Sequence, residues 1–183
     1  MSTRHTIRRA VPADAGALGA IQAESHRVTY PGIMPAAVLA RLQAGRLAER
    51  FSLRLQAAAD TSAPDDNRLW IVEVAGAVVG YAATQAGAST FQAPPPGAGE
   101  LESLYLHPSV TGRGLGWALH EHAIHDLRAR GFGPLVLWAF SANQTARRFY
   151  ERAGWVLDVA EARWVLEGVS CPIVRYRLRR QPA

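Results

Sequence analysis

Glu100-Leu101-Glu102-Ser103-Leu104-Tyr105-Leu106-His107-Pro108, followed two residues later by Thr111-Gly112-Arg113-Gly114-Leu115-Gly116-Trp117, decides how the chain folds. The first part alternates. Glu100, Glu102, Leu104 and Leu106 share one parity, and Leu101, Ser103, Tyr105 and His107 share the other. This predicts a strand, which Pro108 closes by withholding a backbone donor. Beyond the glycines, Leu115, Ala118, Leu119, His122, Ala123 and Leu127 recur at helical spacing, and Gly131 stands where a helix-ending glycine belongs. A strand feeds a glycine turn, and the turn feeds a helix N-terminus. Such a turn leaves several amides unpaired and pointing one way, and the helix dipole adds partial positive charge. The arrangement is a candidate phosphate cradle. Arg113 adds a full charge without blocking the close approach to backbone that the glycines permit.

Two familiar phosphate loops do not fit. A P-loop needs a lysine, and all twenty basic residues of this chain are arginine. A dinucleotide fingerprint needs Gly-x-Gly-x-x-Gly, and Trp117 occupies the place of its third glycine. An ordinary glycine turn without a ligand has the same spacing and stays open as an alternative.

Downstream, Pro134-Leu135-Val136-Leu137-Trp138-Ala139-Phe140 is continuously apolar, as expected of a strand buried on both faces. Ser141-Ala142-Asn143 offers cap residues for a helix that runs through Ala146, Phe149 and Tyr150 to Gly154. Trp155 to Ala160 and Cys171 to Arg179 read as closing strands, with Arg175, Arg177 and Arg179 as a solvated edge face or, equally, a ligand patch. Upstream, Thr6 to Val11 reads as a strand. A helix follows from Pro12 to about Arg27, and Tyr30-Pro31-Gly32-Ile33-Met34-Pro35 is a turn. Helical spacing resumes through Val38, Leu42, Leu47, Phe51 and Leu55. Ala59 to Asn67 is a polar loop, and Arg68 to Val74 with Ala77 to Ala88 form a hairpin around Ala75-Gly76. Ser89 to Gly99 contains three successive prolines and is a loop, either a flap over a site or a plain connection.

Two motifs lie about thirty residues apart, with the apolar strand between them. The glycine turn is similar to the acyl-CoA pyrophosphate loop of the GNAT superfamily of N-acetyltransferases, Gln/Arg-x-x-Gly-x-Gly/Ala. Gly114 and Gly116 match, and Thr111 departs from the first position. The second motif, Asn143-x-x-Ala146-x-x-Phe149-Tyr150 ahead of Gly154-Trp155, resembles the closing motif of the same superfamily. The resemblance covers residues 99–156. It implies an α/β (α+β) three-layer fold, with a central mixed, mostly antiparallel sheet of six to seven strands and helices on both faces. It also implies one acetyltransferase domain over residues 1–183, with acetyl-CoA as acyl donor and no metal. The fourth and fifth strands should splay apart and admit the pantetheine arm beside Leu104, Tyr105 and Leu106. The diphosphate should rest on Thr111, Gly112, Arg113, Gly114, Leu115, Gly116 and Trp117. Asn143, Ala146 and Phe149 complete the expected cofactor side.

The implied reaction is direct attack of an amine on a thioester. It needs a base, an oxyanion donor and an acid for the leaving thiolate. Tyr150 occupies the motif position of that acid, provided its hydroxyl lies within reach of the sulfur. Glu100 and Glu102 are the candidates for the base, and an amine that enters already neutral is the alternative. The N–H of Leu104 or Leu106 is the candidate oxyanion donor.

The remaining features bound the setting. A length of 183 residues suits one domain, and no apolar run approaches a bilayer span. The N-terminus lacks a secretory h-region and Cys171 is the only cysteine, so a cytoplasmic location is expected. The formal charge of +5 favours anionic ligands, CoA phosphates among them. It is spread along the chain with no basic run among aromatics, which argues against nucleic acid. His120, His122 and His125 lack the His-Glu-x-x-His pattern of a zinc helix and read as surface residues. The acceptor implied by the resemblance is a primary amine of a small molecule or of a peptide N-terminus. A non-catalytic acyl-CoA sensor or scaffold is the rival reading, and exposed edges of the last strands suit a homodimer under either reading.

Overall fold

The computed structural model describes residues 4–59, 66–87, 93–166 and 168–179. The expected polar loop after Ala59 therefore falls largely outside the described residues, as does the first part of the suggested flap, Ser89 to Gln92.

Among the described residues, seven strands form one sheet in the order β1-β2-β3-β4-β5-β7-β6. They are β1 (Thr6–Arg9), β2 (Arg68–Val74), β3 (Ala77–Ala86), β4 (Gly99–Leu106), β5 (Leu135–Phe140), β6 (Trp155–Leu166) and β7 (Val169–Leu178). Among these described strands, only β4 and β5 pair in parallel and the other pairs are antiparallel. The helices are α1 (Ala15–Thr29), α2 (Ala36–Leu39), α3 (Ala44–Ala58), α4 (Leu115–Ala129) and α5 (Gln144–Arg152).

Alternation along the strands assigns the two faces. Leu69, Ile71, Tyr81 and Ala83 pack with Leu18 and Ile21 of α1 and with Phe51 and Leu55 of α3. Val72, Ala82 and Leu101 pack on the other face with Leu115, Leu119, Ala123 and Leu127 of α4 and with Tyr150 of α5. This is the three-layer arrangement expected from the sequence. Gly131, at φ +81°, ends α4 as predicted. Its N–H donates to the Arg128 carbonyl at 2.9 Å, and the Phe132 N–H donates to the Leu127 carbonyl at 3.1 Å, which completes a Schellman cap.

α1 and α3 cross tightly at Gly19. A Cβ there would lie 2.5 Å from both the Ala44 carbonyl oxygen and the Ala48 nitrogen. Both are backbone atoms of the facing segment and cannot rotate away. Gly19→Ala should therefore separate the helices and destabilise the protein by roughly 1–3 kcal/mol, measured as a lowered urea midpoint with unchanged slope.

The structure corrects two readings of the last strands. β7 lies between β5 and β6 and is not an edge. Arg175 is accordingly buried, with Nε 2.8 Å from Asp158 Oδ2 and its guanidinium over the Trp138 ring. The free edges of the sheet are β1 and β6. Among the described residues, no helix is long and apolar enough to cross a membrane.

Candidate functional site

β4 and β5 pair over three positions only, Gly99 with Leu135, Glu100 with Val136 and Leu101 with Leu137. Beyond them β4 follows β3, while β5 follows β7 as far as Phe140 opposite Ile173. The expected splay is therefore present. Its cause is visible in the register: Ala83 faces Ser103 while Thr84 faces Leu101, so Glu102 is an extra residue. A bulge of this kind bends the strand and increases its local twist.

The bulge also corrects the simple alternation expected for this strand. Glu100, Glu102, Ser103 and Tyr105 all reach the same cavity, on the α1/α3 side. Leu101, Leu104 and Leu106 pack on the α4 side. Backbone polarity follows the same register. His107 N–H donates to the Val79 carbonyl at 2.8 Å. Antiparallel ladder bonds recur every second residue, so Tyr105 and Ser103 also direct theirs to β3. The N–H groups of Leu104 and Leu106 then point to the side that β5 has left. The Leu106 carbonyl accepts from Ser25 Oγ at 2.9 Å.

The glycine turn follows β4 directly. Gly112 and Gly114 have φ of +78° and +79°, and a Cβ on either would meet no atom within 4 Å. The first helical bond of α4 is Ala118 N–H to the Gly114 carbonyl, at 3.1 Å. The amides of Leu115, Gly116 and Trp117 thus have no intrahelical acceptor, and they open onto free space with the dipole behind them. Arg113 is exposed beside them, whereas the Leu115 side chain is buried and only its amide serves the turn. Thr111 Oγ1 donates to the Pro108 carbonyl at 3.0 Å and so steadies the turn. These features suit a diphosphate. Trp117 meets Phe149 edge to face at 6.1 Å, which ties the turn to α5, where Ala146 packs against the same core.

Asn143 caps α5, its side-chain oxygen accepting the Ala146 N–H at 3.1 Å, while its amide is also in reach of the Tyr30 hydroxyl. Tyr30 lies 3.2 Å from the Tyr105 hydroxyl, which lies 3.1 Å from His26 Nε2. This chain joins the two helix layers through the splay. Burial pushes the His26 pKa down to about 4, so its ring is neutral at pH 7. Tyr150 is buried beside this chain, and burial, with the neighbouring Tyr30, pushes its hydroxyl well above the usual tyrosine range.

The cavity has a volume of about 620 Å³. Its two carboxylates differ. Glu102 is held by Arg54, with Nη2–Oε2 at 2.6 Å and Nη1–Oε1 at 3.1 Å. Glu100 is 4% exposed, and its Oε2 has no hydrogen-bond partner. Burial pushes its pKa up to about 7, with a hydrogen bond from Gln85 and the charge of Arg175 opposing the rise. A carboxyl poised near neutrality in a cavity suits proton abstraction.

Two features of the site had no signal in the sequence: the Tyr30–Tyr105–His26 chain and the arginines of α3. The histidine reading needs correction. His120 is buried, and its Nε2 accepts from Trp155 Nε1 at 2.9 Å. His122 packs against the Trp70 ring at 4.3 Å.

The acetyltransferase (GNAT) family model matches residues 38–155. A mycothiol acetyltransferase of Thermobispora bispora is 35% identical over 98 residues, 52% of this chain and 33% of that protein. A "Probable N-acetyltransferase" of Mycobacterium tuberculosis is 30% identical over 113 residues, 61% of this chain and 60% of that protein. The chain thus spans a third of the first relative and three-fifths of the second. The crystal structure of an N-acetyltransferase from Thermoplasma acidophilum in complex with coenzyme A has the same fold, with a TM-score of 0.74 at 18% identity, over 95% of this chain and 99% of that one.

Proposed function

The chain belongs to the acetyltransferase (GNAT) family, and from that premise we propose that it transfers an acetyl group from acetyl-CoA to a primary amine of a small molecule or peptide by direct attack. The observation that carries this reading is the departure of β4 from β5 after Leu101. It leaves the Leu104 and Leu106 amides free between the open glycine turn and the buried carboxyl of Glu100. The amides of Gly112 to Trp117, with Arg113, would hold the diphosphate, and Asn143, Ala146 and Phe149 line the α5 side of the path.

Acetyl-CoA, when bound, supplies the thioester carbonyl that the amine attacks. Glu100 takes the proton that the amine loses as the N–C bond forms. The Leu104 or Leu106 N–H donates to the developing oxyanion. Tyr150 gives its proton to the sulfur as the C–S bond breaks. Its raised pKa keeps it protonated over the working pH range, as a general acid requires. Glu102, neutralised by Arg54, is the weaker candidate base. The reading includes a cytoplasmic setting, which the lone thiol of Cys171 suits.

The test is release of free thiol from acetyl-CoA across a panel of amines, with acetylated product confirmed by mass. Calorimetric binding of CoA without thiol release for any amine would favour the sensor reading. No CoA binding at all would remove both. A separate variant probes the cradle. A β-branched residue tolerates positive φ poorly, at a cost of roughly 1–2 kcal/mol. Its side chain would also fill the open space over the amides. Gly114→Val should therefore raise the KM for acetyl-CoA about tenfold or more with a much smaller change in kcat.

A further inference from the structure

We infer that the acceptor carries an anionic group together with its amine, and that Arg50 receives that group. The inference rests on the acyl-transfer reading and narrows its substrate class to amino acids and amino-acid-like amines.

The argument begins on α3. Leu47, Phe51 and Leu55 turn its apolar face to the core. Arg50 and Arg54, one helical turn apart, both reach the cavity that contains Glu100. Their situations differ. Arg54 forms a two-pronged pair with Glu102, so these two charges cancel. Arg50 is exposed and, among the described residues, forms no ion pair. Its charge is nevertheless felt inside the site, where it helps to lower the pKa of His26 after burial. The carboxylate of α1 at Glu24 is taken by Arg27, at 2.5 and 2.9 Å. Nor is Arg50 placed for the diphosphate, because α3 lies in the helix layer opposite α4 and its glycine turn.

The cavity therefore presents two uncompensated groups. One is the partnerless oxygen of Glu100, and the other is the guanidinium of Arg50. The same cavity is walled by the aromatic rings of Phe51, Trp138, Phe140 and Trp164. A ligand with an amine at one end and a carboxylate at the other satisfies both groups at once. Arginine suits the carboxylate because its planar fork donates two parallel hydrogen bonds. A second cation on the acceptor would meet Arg50 with like charge, so polyamines and basic peptide ends fit poorly.

The experiment compares phenylalanine, phenylalaninamide and 2-phenylethylamine as acceptors, read by thiol release from acetyl-CoA. The wild-type protein should use phenylalanine best. Arg50→Gln should lower the ratio of kcat/KM for phenylalanine to that for 2-phenylethylamine by roughly tenfold or more. Differences in amine basicity cancel in that comparison between proteins. Arg46→Gln makes the same charge change on α3 outside the cavity and should leave the ratio unaltered. An equal ratio in Arg50→Gln and wild type would overturn the inference while leaving acyl transfer standing. Absence of thiol release with every amine would instead strike the acyl-transfer reading. In that event phenylalanine binding, followed through the fluorescence of Trp138 and Trp164, decides the role of Arg50. An affinity weakened about tenfold in Arg50→Gln supports it, and an unchanged affinity, or no binding, overturns it.

Discussion

Replacing Glu100 by Gln should lower kcat/KM by about a hundredfold to a thousandfold and erase its dependence on pH near neutrality. The acid form of Glu100 cannot accept a proton. In the unmodified protein kcat/KM should therefore rise with pH through about 7, where burial has pushed this carboxyl. Gln has nothing to titrate there, so the variant's profile should be flat across that window. Glu102→Gln is the comparison. It removes the partner of Arg54 rather than a free base, and its profile should keep the rise near pH 7. Stability should move the other way. The folded pKa of Glu100 lies above its unfolded value of 4.5, so the stability this group contributes is fully present below pH 4.5 and lost as pH rises through 7. At pH 8 the unmodified protein holds a buried charge with one unpaired oxygen, and Gln holds none. Glu100→Gln should then be more stable at pH 8 by on the order of 1–3 kcal/mol, while at pH 4 the two proteins converge. A variant that loses activity and gains stability identifies a group retained for chemistry. A pH rise near 7 that survives in Glu100→Gln would assign the titration to another group.

The contrast between the two glutamates was not legible in the sequence, where they occupy equivalent places in one alternating run. Their difference comes from the bulge at Glu102 and from Arg54, which is 48 residues away. Pattern reading has no access to a register shift whose partner lies on another strand. Local features fared better, because their causes are local: the helix-ending Gly131, the hairpin at Ala75-Gly76 and the Asn143 cap are each fixed by a few neighbouring residues. The three-layer arrangement was also legible, since period-2 and period-3.6 patterns state which face each element buries. Arg175 and His120 were misread for a common reason. A polar residue counts as solvent-facing until its buried partner is known, and Asp158 and Trp155 become neighbours only through the sheet order and the docking of α4. The same limit hid Arg50, whose lack of a partner is a fact about every surrounding element at once. The Tyr30–Tyr105–His26 chain needed the splay itself, since it passes where β4 and β5 part.

Removing the Tyr150 hydroxyl should lower kcat about a hundredfold and leave the fold intact. The ring packs at 5.4 Å from Phe149 and 6.3 Å from Trp155, contacts that phenylalanine reproduces. Burial and Tyr30 set the acidity of this hydroxyl, and no described residue supplies it a hydrogen bond. A hydroxyl that bonds no other side chain contributes little to the fold. Tyr150→Phe should thus melt within a degree or so of the unmodified protein. The kinetic loss should fall on kcat, because the amides of the glycine turn, which hold the diphosphate, are untouched and the KM for acetyl-CoA should change little. The identity of the missing group can then be read from the leaving thiol. A thiol of pKa about 8.5 gains from protonation as it departs, and a more acidic aryl thiol gains less. With an acetyl thioester of such a thiol, the defect of Tyr150→Phe should shrink towards unity, while that of Glu100→Gln, which concerns the amine's proton, should persist. Equal defects on both thioesters would mean that Tyr150 positions the substrate without donating a proton. An undiminished rate in Tyr150→Phe would move the acid to the neighbouring Tyr30–Tyr105 pair, whose hydroxyls lie 3.2 Å apart in the same gap.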